Sequence, residues 1–470
     1  MARVTLDLRQ RCVTNLPLQS HRQPQAGRAA AGRTLRQRCS RQSLAEWRAD
    51  ARRSDPVDLL IQSSKGRLED LIPLRYGRMM ANPFAFYRGA AVIMARDLSS
   101  TPVTGIELQV CGDCHLLNFG GFATPERKII FDIDDFDETA VGPWEWDVKR
   151  LATSFVIAGR SNGFDSVDCR EAAWSCARNY RQAMAGIAEM SVLDAWYAAI
   201  DFEQIVSRRV IPQLYGKKVQ RARAQSSHEK QFAKLACTSG PHPKIKDDPP
   251  LIFHAKDAEQ RFLHDEAVQT AASYRESLPP ERRILVDRYE LTDEAYKVVG
   301  LGSVGLICGI ALFMSGNRDP LFLQFKEARQ SVLEPYAGAS PFLHHGQRIV
   351  VGQRLMQAAS DILLGWMSDA GSPPRQFYMR QLRDAKIKPN VESMRPPLLK
   401  RYARLCGRAL ARAHSRSGDA AVLSGYMGKS AAYEDALARF AVAYANQNER
   451  DHSALLAAIR NGRIAVRPPE

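Results

Sequence analysis

The segment Cys-Gly-Asp-Cys-His-Leu-Leu-Asn at residues 111–118 is the feature that most constrains this chain. It places Asp113 shortly before Asn118, and an acidic cluster follows at residues 132–138. In phosphoryl-transfer sites, one Asp accepts the proton of the substrate hydroxyl, an Asn a few residues on holds magnesium, and a later Asp holds magnesium on the nucleotide phosphates. The pattern therefore predicts Asp113 as the catalytic base, with Asn118 and Asp135 as metal ligands.

Other interpretations of this segment stay open. His115 can orient the loop through a hydrogen bond or act chemically itself. Residues 111–115 also fit C-x-x-C-H, the pattern of haem attachment, and its two cysteines could form a redox pair. Haem attachment requires export, and the N-terminus has no apolar signal segment, so this interpretation is disfavoured. A zinc site is no better supported, because the remaining cysteines are scattered singly.

A second informative segment, Gly-Leu-Gly-Ser-Val-Gly at residues 300–305, has G-x-G-x-x-G spacing. The apolar run 306–314, a turn at 316–320 and a short apolar run ending at Lys326 predict a hairpin, a turn and a strand. A Rossmann site would instead lead into a helix. We expect Gly300, Gly302, Ser303 and Gly305 to form a phosphate loop, because glycine lets backbone N–H groups approach phosphate oxygens. Lys326 would contact those oxygens, as the strand lysine of kinases does.

In kinases, however, the glycine loop and lysine precede the catalytic Asp, whereas here they follow it. An active site needs its groups to converge in space and not in sequence, and chain ends commonly lie close together. The expected fold class is therefore α+β: a kinase-like, two-lobed fold with permuted motif order, largely helical outside the nucleotide lobe. The expectation fails if the two motifs belong to domains that never meet.

The chain resembles the bacterial proteins catalogued as domain of unknown function 2252, which are grouped with kinase-like folds. The motifs that carry this resemblance lie in eight segments: residues 84–89, 111–120, 131–139, 142–151, 300–305, 323–328, 380–386 and 413–419. Together they span most of residues 35–465. The family name supplies no substrate, so the resemblance implies a fold more than a reaction.

The chain is also similar to aminoglycoside phosphotransferases, in which an Asp and an aromatic residue precede a Gly and then an Asp-Leu-Ala. Asp135-Phe136, Gly142 and Asp147-Val148 stand at matching separations. This resemblance favours Asp135 as the magnesium ligand and implies that Asp147 orders the catalytic loop. Asp132 is the second candidate, since alternation along a strand would put Asp132 and Asp134 on the same face.

Composition favours a large enzyme without a membrane span. No apolar run approaches the roughly 20 residues that a membrane helix needs, and nine cysteines without a signal segment favour reduced thiols in the cytoplasm. The net charge is +15, but twelve arginines lie within residues 1–53 against three acidic residues. More than half of the charge is thus N-terminal, so nucleic acid is an unlikely partner of the remaining chain.

The expected organisation has five parts. Residues 1–53 are an Arg-rich tail, with residues 1 to about 40 disordered, and residues 54–240 carry the catalytic loop in the larger, helical lobe. Residues 241–294 form a linker and helices, residues 295–386 the nucleotide lobe, and residues 387–470 helices that complete the larger lobe. Residues 346–366 should form a helix that supplies a carboxylate to Lys326. Glu327 would point away from that lysine, and the sequence does not choose between Glu334 and Asp361.

The expected function is transfer of the γ-phosphoryl group of ATP, with Mg²⁺, to a hydroxyl of an unknown small molecule or protein. Two alternatives come from other classes. A nucleotide-binding pseudoenzyme would bind ATP without turnover, although the intact set of Asp113, Asn118 and Asp135 disfavours it. An anionic-polymer or membrane-surface binder would depend on the N-terminal arginines and on salt.

Overall fold

The computed structural model describes residues 22–50, 52–202, 205, 228–238, 242–249, 251–254, 267–298, 300, 302–382 and 387–467. The first part of the predicted tail and most of the predicted basic stretch at 208–230 lie outside these residues. The fold is α+β, about 52% helical with small sheets. Within the described residues, no helix combines the length and apolar character needed to cross a membrane.

The helices before the large sheet are α1 (Gln25–Thr34), α2 (Pro56–Ser64), α3 (Ile72–Met80), α4 (Pro83–Gly89), α5 (Ala91–Leu98), α6 (Trp144–Ser161), α7 (Ser166–Ala188), α8 (Val192–Tyr197), α9 (His228–Leu235), α10 (Ala267–Ser277) and α11 (Pro280–Val286). The later helices are α12 (Glu334–Ala337), α13 (His345–Met356), α14 (Pro396–Ser415), α15 (Ala420–Met427) and α16 (Ala432–Arg460). The last three of these helices confirm the helical character that was predicted for residues 387–470.

The short strands are β1 (Glu107–Val110), β2 (Phe119–Ala123), β3 (Ile129–Ile133), β4 (Ala140–Pro143), β5 (Ala236–Cys237), β6 (Lys244–Ile245) and β7 (Ile252–Phe253). The longer sheet continues with β8 (Tyr289–Lys297), β9 (Cys308–Ser315), β10 (Pro320–Glu327), β11 (Gly365–Ser368) and β12 (Gln376–Gln381). The predicted order of hairpin, turn, strand and lysine is confirmed, since β9 and β10 flank the turn and Lys326 lies near the end of β10.

The six-stranded sheet has the order β11-β12-β10-β9-β8-β7, and its neighbouring strands pair antiparallel. Strand β10 is apolar on both faces: Leu323 and Phe325 pack with Met379 in one cluster, and Phe322 packs with Ile310 in another. A strand with both faces covered reads as a continuous apolar run rather than an alternating one. This explains why the run before Lys326 has so few polar residues.

The helical lobe is centred on α6, which is buried along nearly its whole length. At its start, Trp144 stacks on Tyr180 of α7 and Tyr433 of α16, with ring centroids 5.7 and 5.9 Å apart. Such aromatic pairs contribute about 1 kcal/mol each beyond their buried area. Helix α6 is therefore fixed in the core, and strands β1 and β4 lie at its N-terminal end.

The prediction of disorder up to residue 40 is wrong for its second half, because residues 25–34 form α1 and pack on α15. The contact is close: a Cβ on Gly32 would lie 2.0 Å from the carbonyl oxygen of Val422. The arginines of this segment bind other parts of the chain: Arg28 pairs with Asp419 at 2.7 Å, and Arg36 donates to the Tyr426 carbonyl at 2.8 Å. Small residues permit this packing without the apolar periodicity by which a helix is usually predicted.

Two further expectations need correction. The predicted helix at 346–366 ends at Met356, and its last residues begin strand β11 instead. The predicted strand through the acidic cluster ends at Ile133, so residues 134–138 form a loop. Asp132 and Asp134 consequently do not share a strand face.

Candidate functional site

The two motifs that lie far apart in sequence line one cleft of about 240 Å³. One wall is formed by Asp113, His115 and Asn118 of segment 111–118, named the catalytic loop after its predicted role. Asp135 and Asp137 of the loop at 134–138, the acidic loop, line the cleft as well. Gly300, Gly302 and Ser303 of the glycine loop line the same cleft. The structure therefore brings together most of the residues that were predicted from sequence.

The catalytic loop is held by one carboxylate at the start of α6. Asp147 accepts hydrogen bonds from the backbone N–H of Cys111 at 2.7 Å and of Gly112 at 3.0 Å. Its Oδ2 also lies 3.2 Å from Nε2 of the buried His414. Asp147 does not line the cleft, which confirms that it orders the loop. Because an ionised acceptor makes stronger hydrogen bonds than a neutral one, this residue fixes the backbone directly before Asp113.

Asp113 forms an ion pair with the buried Arg150 of α6. Its Oδ1 accepts from Nε of Arg150 at 2.7 Å and from Nη2 of the same guanidinium. That guanidinium also stacks over the Tyr87 ring, 4.4 Å from its centroid. Burial raises the pKa of Asp113, and the charge of Arg150 works in the opposite direction. Oδ2 is left on the cleft side, 3.9 Å from His115 Nε2.

His115 and Asn118 shape the turn after Asp113. The Asn118 side-chain amide donates to the Asp113 carbonyl at 2.7 Å, and the backbone N–H of Asn118 donates to the His115 carbonyl at 2.8 Å. In the described part of the chain, no donor reaches the amide oxygen of Asn118. Burial lowers the pKa of His115 well below its usual range, and Arg88 and Arg150 lower it further, so the imidazole is neutral at pH 7.

The structure separates the two aspartates that were predicted to hold metal. Asp132 is fully buried outside the cleft, where it accepts from Arg412 at 2.5 Å and from the Ala358 N–H at 2.8 Å. It ties the acidic segment to α14, and we withdraw it as a metal ligand. Asp135 lines the cleft and has no ion pair within the residues the structure describes.

The carboxylate partner of Lys326 is Asp137, which sequence reasoning did not choose. Asp137 Oδ2 pairs with Lys326 Nζ, and its Oδ1 accepts from the Tyr378 hydroxyl at 2.9 Å. Although burial opposes ionisation of both groups, their mutual attraction lowers the pKa of Asp137 and raises that of Lys326 well above its usual range.

Neither of the two acids that the sequence left open reaches Lys326. Glu334 lies 3.5 Å from Arg348 of α13, and Asp361 accepts from the Gln381 N–H at 2.5 Å. The helix expected to carry a carboxylate toward Lys326 thus carries an arginine at its contact with the acidic loop. Arg348 donates to the carbonyl of Asp137 at 2.9 Å, so α13 positions the backbone of Lys326's partner.

The glycine loop is held by two arginines of the N-terminal region, Arg67 between α2 and α3 and Arg78 of α3. Arg67 donates to the carbonyls of Gly302 at 2.9 Å and Val304 at 2.6 Å, and Arg78 donates to Gly300 at 2.8 Å. Gly300 and Gly305 have φ values of +69° and +86°, which favour glycine strongly. Ser303 connects the loop to the acidic segment, because its hydroxyl lies 3.4 Å from Asp137 Oδ2.

Sequence reasoning missed the arginines of the cleft. Arg67, Arg75 and Arg88 come from the α2–α4 region, Arg329 from the end of the lysine strand and Arg380 from β12. The F-A-F-Y-R-G motif at 84–89 contains Arg88 and was the one available signal. The others are indistinguishable in sequence from the solvated arginines of helices.

The thiols of Cys111 and Cys114 lie beneath the catalytic loop. Their sulfurs and a carboxylate oxygen of Asp147 lie within 4.8 Å of one another, in a buried position. Asp147 is already engaged by two backbone N–H groups, and burial raises the pKa of both thiols above the usual range. Cys111, Cys114 and Asp147 therefore form buried packing that supports the loop.

Comparison with known proteins places the chain in a family. No curated protein and no solved structure matches it. The family model described as "Uncharacterized protein conserved in bacteria (DUF2252)" matches residues 67–458, which contain the catalytic loop, the acidic loop, the glycine loop and Lys326. The match covers most of the chain, and the protein therefore belongs to the DUF2252 family.

Proposed function

We propose that this protein is a phosphotransferase with a permuted kinase-like fold, which uses ATP and Mg²⁺ to phosphorylate a hydroxyl group. One observation carries the proposal: the catalytic loop at 111–118 and the glycine loop at 300–305 line the same cleft. Two motifs in unrelated domains would have no reason to meet. In this cleft they do so around an acidic loop and a buried lysine, which are the groups that phosphoryl transfer requires.

The contacts of Asp113 support its role as the general base. Its Oδ2 faces the cleft while its Oδ1 is fixed by Arg150, so the carboxylate is held in one orientation. Burial raises its pKa, and a carboxylate with a raised pKa is a stronger base than an ordinary Asp. The neutral His115 beside it adds no competing positive charge.

The opposite side of the cleft supports phosphate binding. Lys326 supplies a positive charge and is paired with Asp137, a carboxylate of the cleft that also accepts from the Tyr378 hydroxyl. Gly302 has room around its Cα, because a Cβ there would meet only the Arg88 carbonyl at 3.7 Å. Backbone N–H groups in such a loop can approach phosphate oxygens without a side chain between them.

The oxygen donors of the cleft fit magnesium. Asp135 offers a carboxylate without an ion pair in the described structure, and Asn118 offers an amide oxygen that no described donor engages. Mg²⁺ prefers such hard oxygen ligands together with substrate phosphates. When bound, it would neutralise the charge that develops on the phosphate oxygens.

Thermal unfolding with and without Mg²⁺-ATP tests the proposal. Ligand at a hundred times its dissociation constant should stabilise the wild type by roughly 2.7 kcal/mol. The shift should vanish in Lys326→Ala and Asp135→Ala, each compared with its own unliganded baseline, and should persist in Lys244→Ala, which changes an exposed lysine of β6. Absence of any shift in the wild type would overturn the proposal. A shift that survives in both variants would separate the nucleotide site from this cleft.

A further inference from the structure

Arg75 of α3 is a buried cation without a carboxylate partner. It lines the cleft, is 2% exposed and forms no ion pair with a described residue. Its hydrogen bonds go to the hydroxyls of Ser64 at 2.9 Å and Ser63 at 3.4 Å and to the Gly89 carbonyl at 3.0 Å, while its buried Nε has no partner. Neutral acceptors satisfy hydrogen bonds but do not neutralise a charge, and an uncompensated buried charge is costly.

Arg67, which also lines the cleft, is a second arginine without an ion pair to a described residue. Its guanidinium donates to the carbonyls of Ser63, Gly302 and Val304, and within the described residues it forms no ion pair with a carboxylate. Burial lowers its pKa to about 9, and the nearby charges of Arg75 and Arg329 contribute to this lowering. The carboxylates of Glu138 and Glu327 offset these effects only in part, since the pKa of Arg67 stays lowered.

Arg88 of α4 completes the group beside the catalytic loop. Its Nε is buried without a partner, and no described residue forms a hydrogen bond or ion pair with its guanidinium. It is close enough to Asp113 for the carboxylate to raise its pKa and for Arg88 to lower that of His115. Arg88 thus faces the region where a hydroxyl would approach its base.

The other cations at the cleft have carboxylates beside them, which sets these three apart. Arg329 pairs with Glu327 at 2.7 Å, Lys388 with Asp134 at 2.6 Å, and Lys326 with Asp137. Arg380 donates to the Gln324 amide oxygen, and the nearby carboxylates of Asp135 and Asp137 raise its pKa. The uncompensated positive charge is concentrated on the side formed by residues 67–88. An anion in the cleft would therefore be attracted mainly to Arg67, Arg75 and Arg88.

Resting on the proposed function, we propose that Arg67, Arg75 and Arg88 bind an anionic group, phosphate or carboxylate, of the hydroxyl acceptor. The glycine loop and Lys326 already supply contacts for the nucleotide phosphates, whereas Arg88 adjoins Asp113. An anion held there would place a neighbouring hydroxyl of the same molecule next to the base. The same charges disfavour polycationic acceptors, so the acceptor class differs from aminoglycosides.

Calorimetric titration of the full chain with inorganic phosphate tests this site. A saturating non-hydrolysable ATP analogue with Mg²⁺ fills the nucleotide site first, including the γ-phosphate position. Phosphate should still bind, and Arg88→Gln should weaken its binding at least about tenfold, because a charge-assisted hydrogen bond is lost. Arg96→Gln, on α5 outside the cleft, should bind phosphate like the wild type. A parallel titration with malonate distinguishes a carboxylate from a phosphate preference.

The outcomes separate the two proposals. If the analogue binds but phosphate does not, or if Arg88→Gln binds phosphate as well as the wild type, the acceptor site is overturned and the nucleotide site stands. If the analogue itself fails to bind, both proposals fall. Binding of the analogue to Arg88→Gln with normal affinity, together with lost phosphate binding, would support the acceptor site and show that the variant is folded.

Discussion

The two loops that face each other across the cleft are built on opposite principles. The catalytic loop is part of the packed core: a Cβ on Gly112, whose φ is +83°, would lie 2.1 Å from the Glu138 carbonyl. The glycine loop is held by arginine side chains, and Gly302 has open space around it. One glycine is needed by the fold and the other is available to a ligand. Glycines of similar appearance in sequence therefore serve different purposes.

The largest expected effect is on stability at the catalytic loop. Gly112→Ala should destabilise the protein by about 4 kcal/mol, since it adds a clash with backbone in a packed core to the strain of a left-handed conformation. Urea unfolding of the variant and the wild type measures the difference. A loss below 1 kcal/mol would show that the loop can move, and the contrast between the two loops would disappear.

Gly302→Ala is the matched control for that measurement. Its unfolding free energy should stay within about 0.5 kcal/mol of wild type, because the added methyl group meets no close neighbour. Its affinity for Mg²⁺-ATP should nevertheless fall, since the methyl group obstructs the approach of phosphate to the loop. Equal nucleotide affinity in Gly302→Ala and the wild type would mean that this loop does not contact phosphate.

A smaller effect is expected at the support of the catalytic loop. Asp147→Asn should lower the free energy of unfolding by about 2 kcal/mol. The carboxylate accepts a hydrogen bond from two backbone N–H groups, and in the variant one of these N–H groups would face the amide NH₂, which cannot accept. Turnover should fall by more than nucleotide affinity, since Asp113 and not the glycine loop is displaced. Unfolding and steady-state kinetics measured on the same preparation check this. An equal loss of nucleotide affinity would indicate that the two loops are coupled.

The smallest effect concerns pH. Asp113 must be ionised to accept a proton, so activity should be full above its pKa and fall as the pH decreases through it. Because burial raises this pKa, the fall should begin at a higher pH than for an ordinary Asp. Arg88 lowers the Asp113 pKa, so Arg88→Gln should move the acidic limb of the kcat profile to higher pH. A limb that moves to lower pH would contradict the assignment of Asp113 as base.

Much of the sheet that carries Lys326 could be predicted locally. The apolar runs around the turn at 316–320 predict strands on either side, and they place Lys326 at the end of the second. Such inferences succeed because they depend on short-range periodicity and on turn residues, which tertiary contacts rarely override.

The pairing of charges could not be predicted in the same way. Lys326 could have met several acids, and its choice of Asp137 depends on how β10 and the acidic loop approach each other. Asp132 and Asp135 look alike in sequence, yet one is buried against Arg412 and the other faces the cleft. The sequence predicted disorder where the N-terminal helix α1 lies, because the small residues of α1 pack through close approach and not through an apolar stripe.

By itself, the sequence determined which chemical groups the protein carries and the local elements that hold them: a catalytic-type loop, an acidic cluster, a glycine loop and a strand lysine. Only the tertiary structure decided that these segments meet at one cleft, and that Arg67, Arg75 and Arg88 line it without forming an ion pair with a described residue. The physical reason is that local conformation depends on neighbouring residues, whereas charge compensation depends on distances between segments that are far apart along the chain.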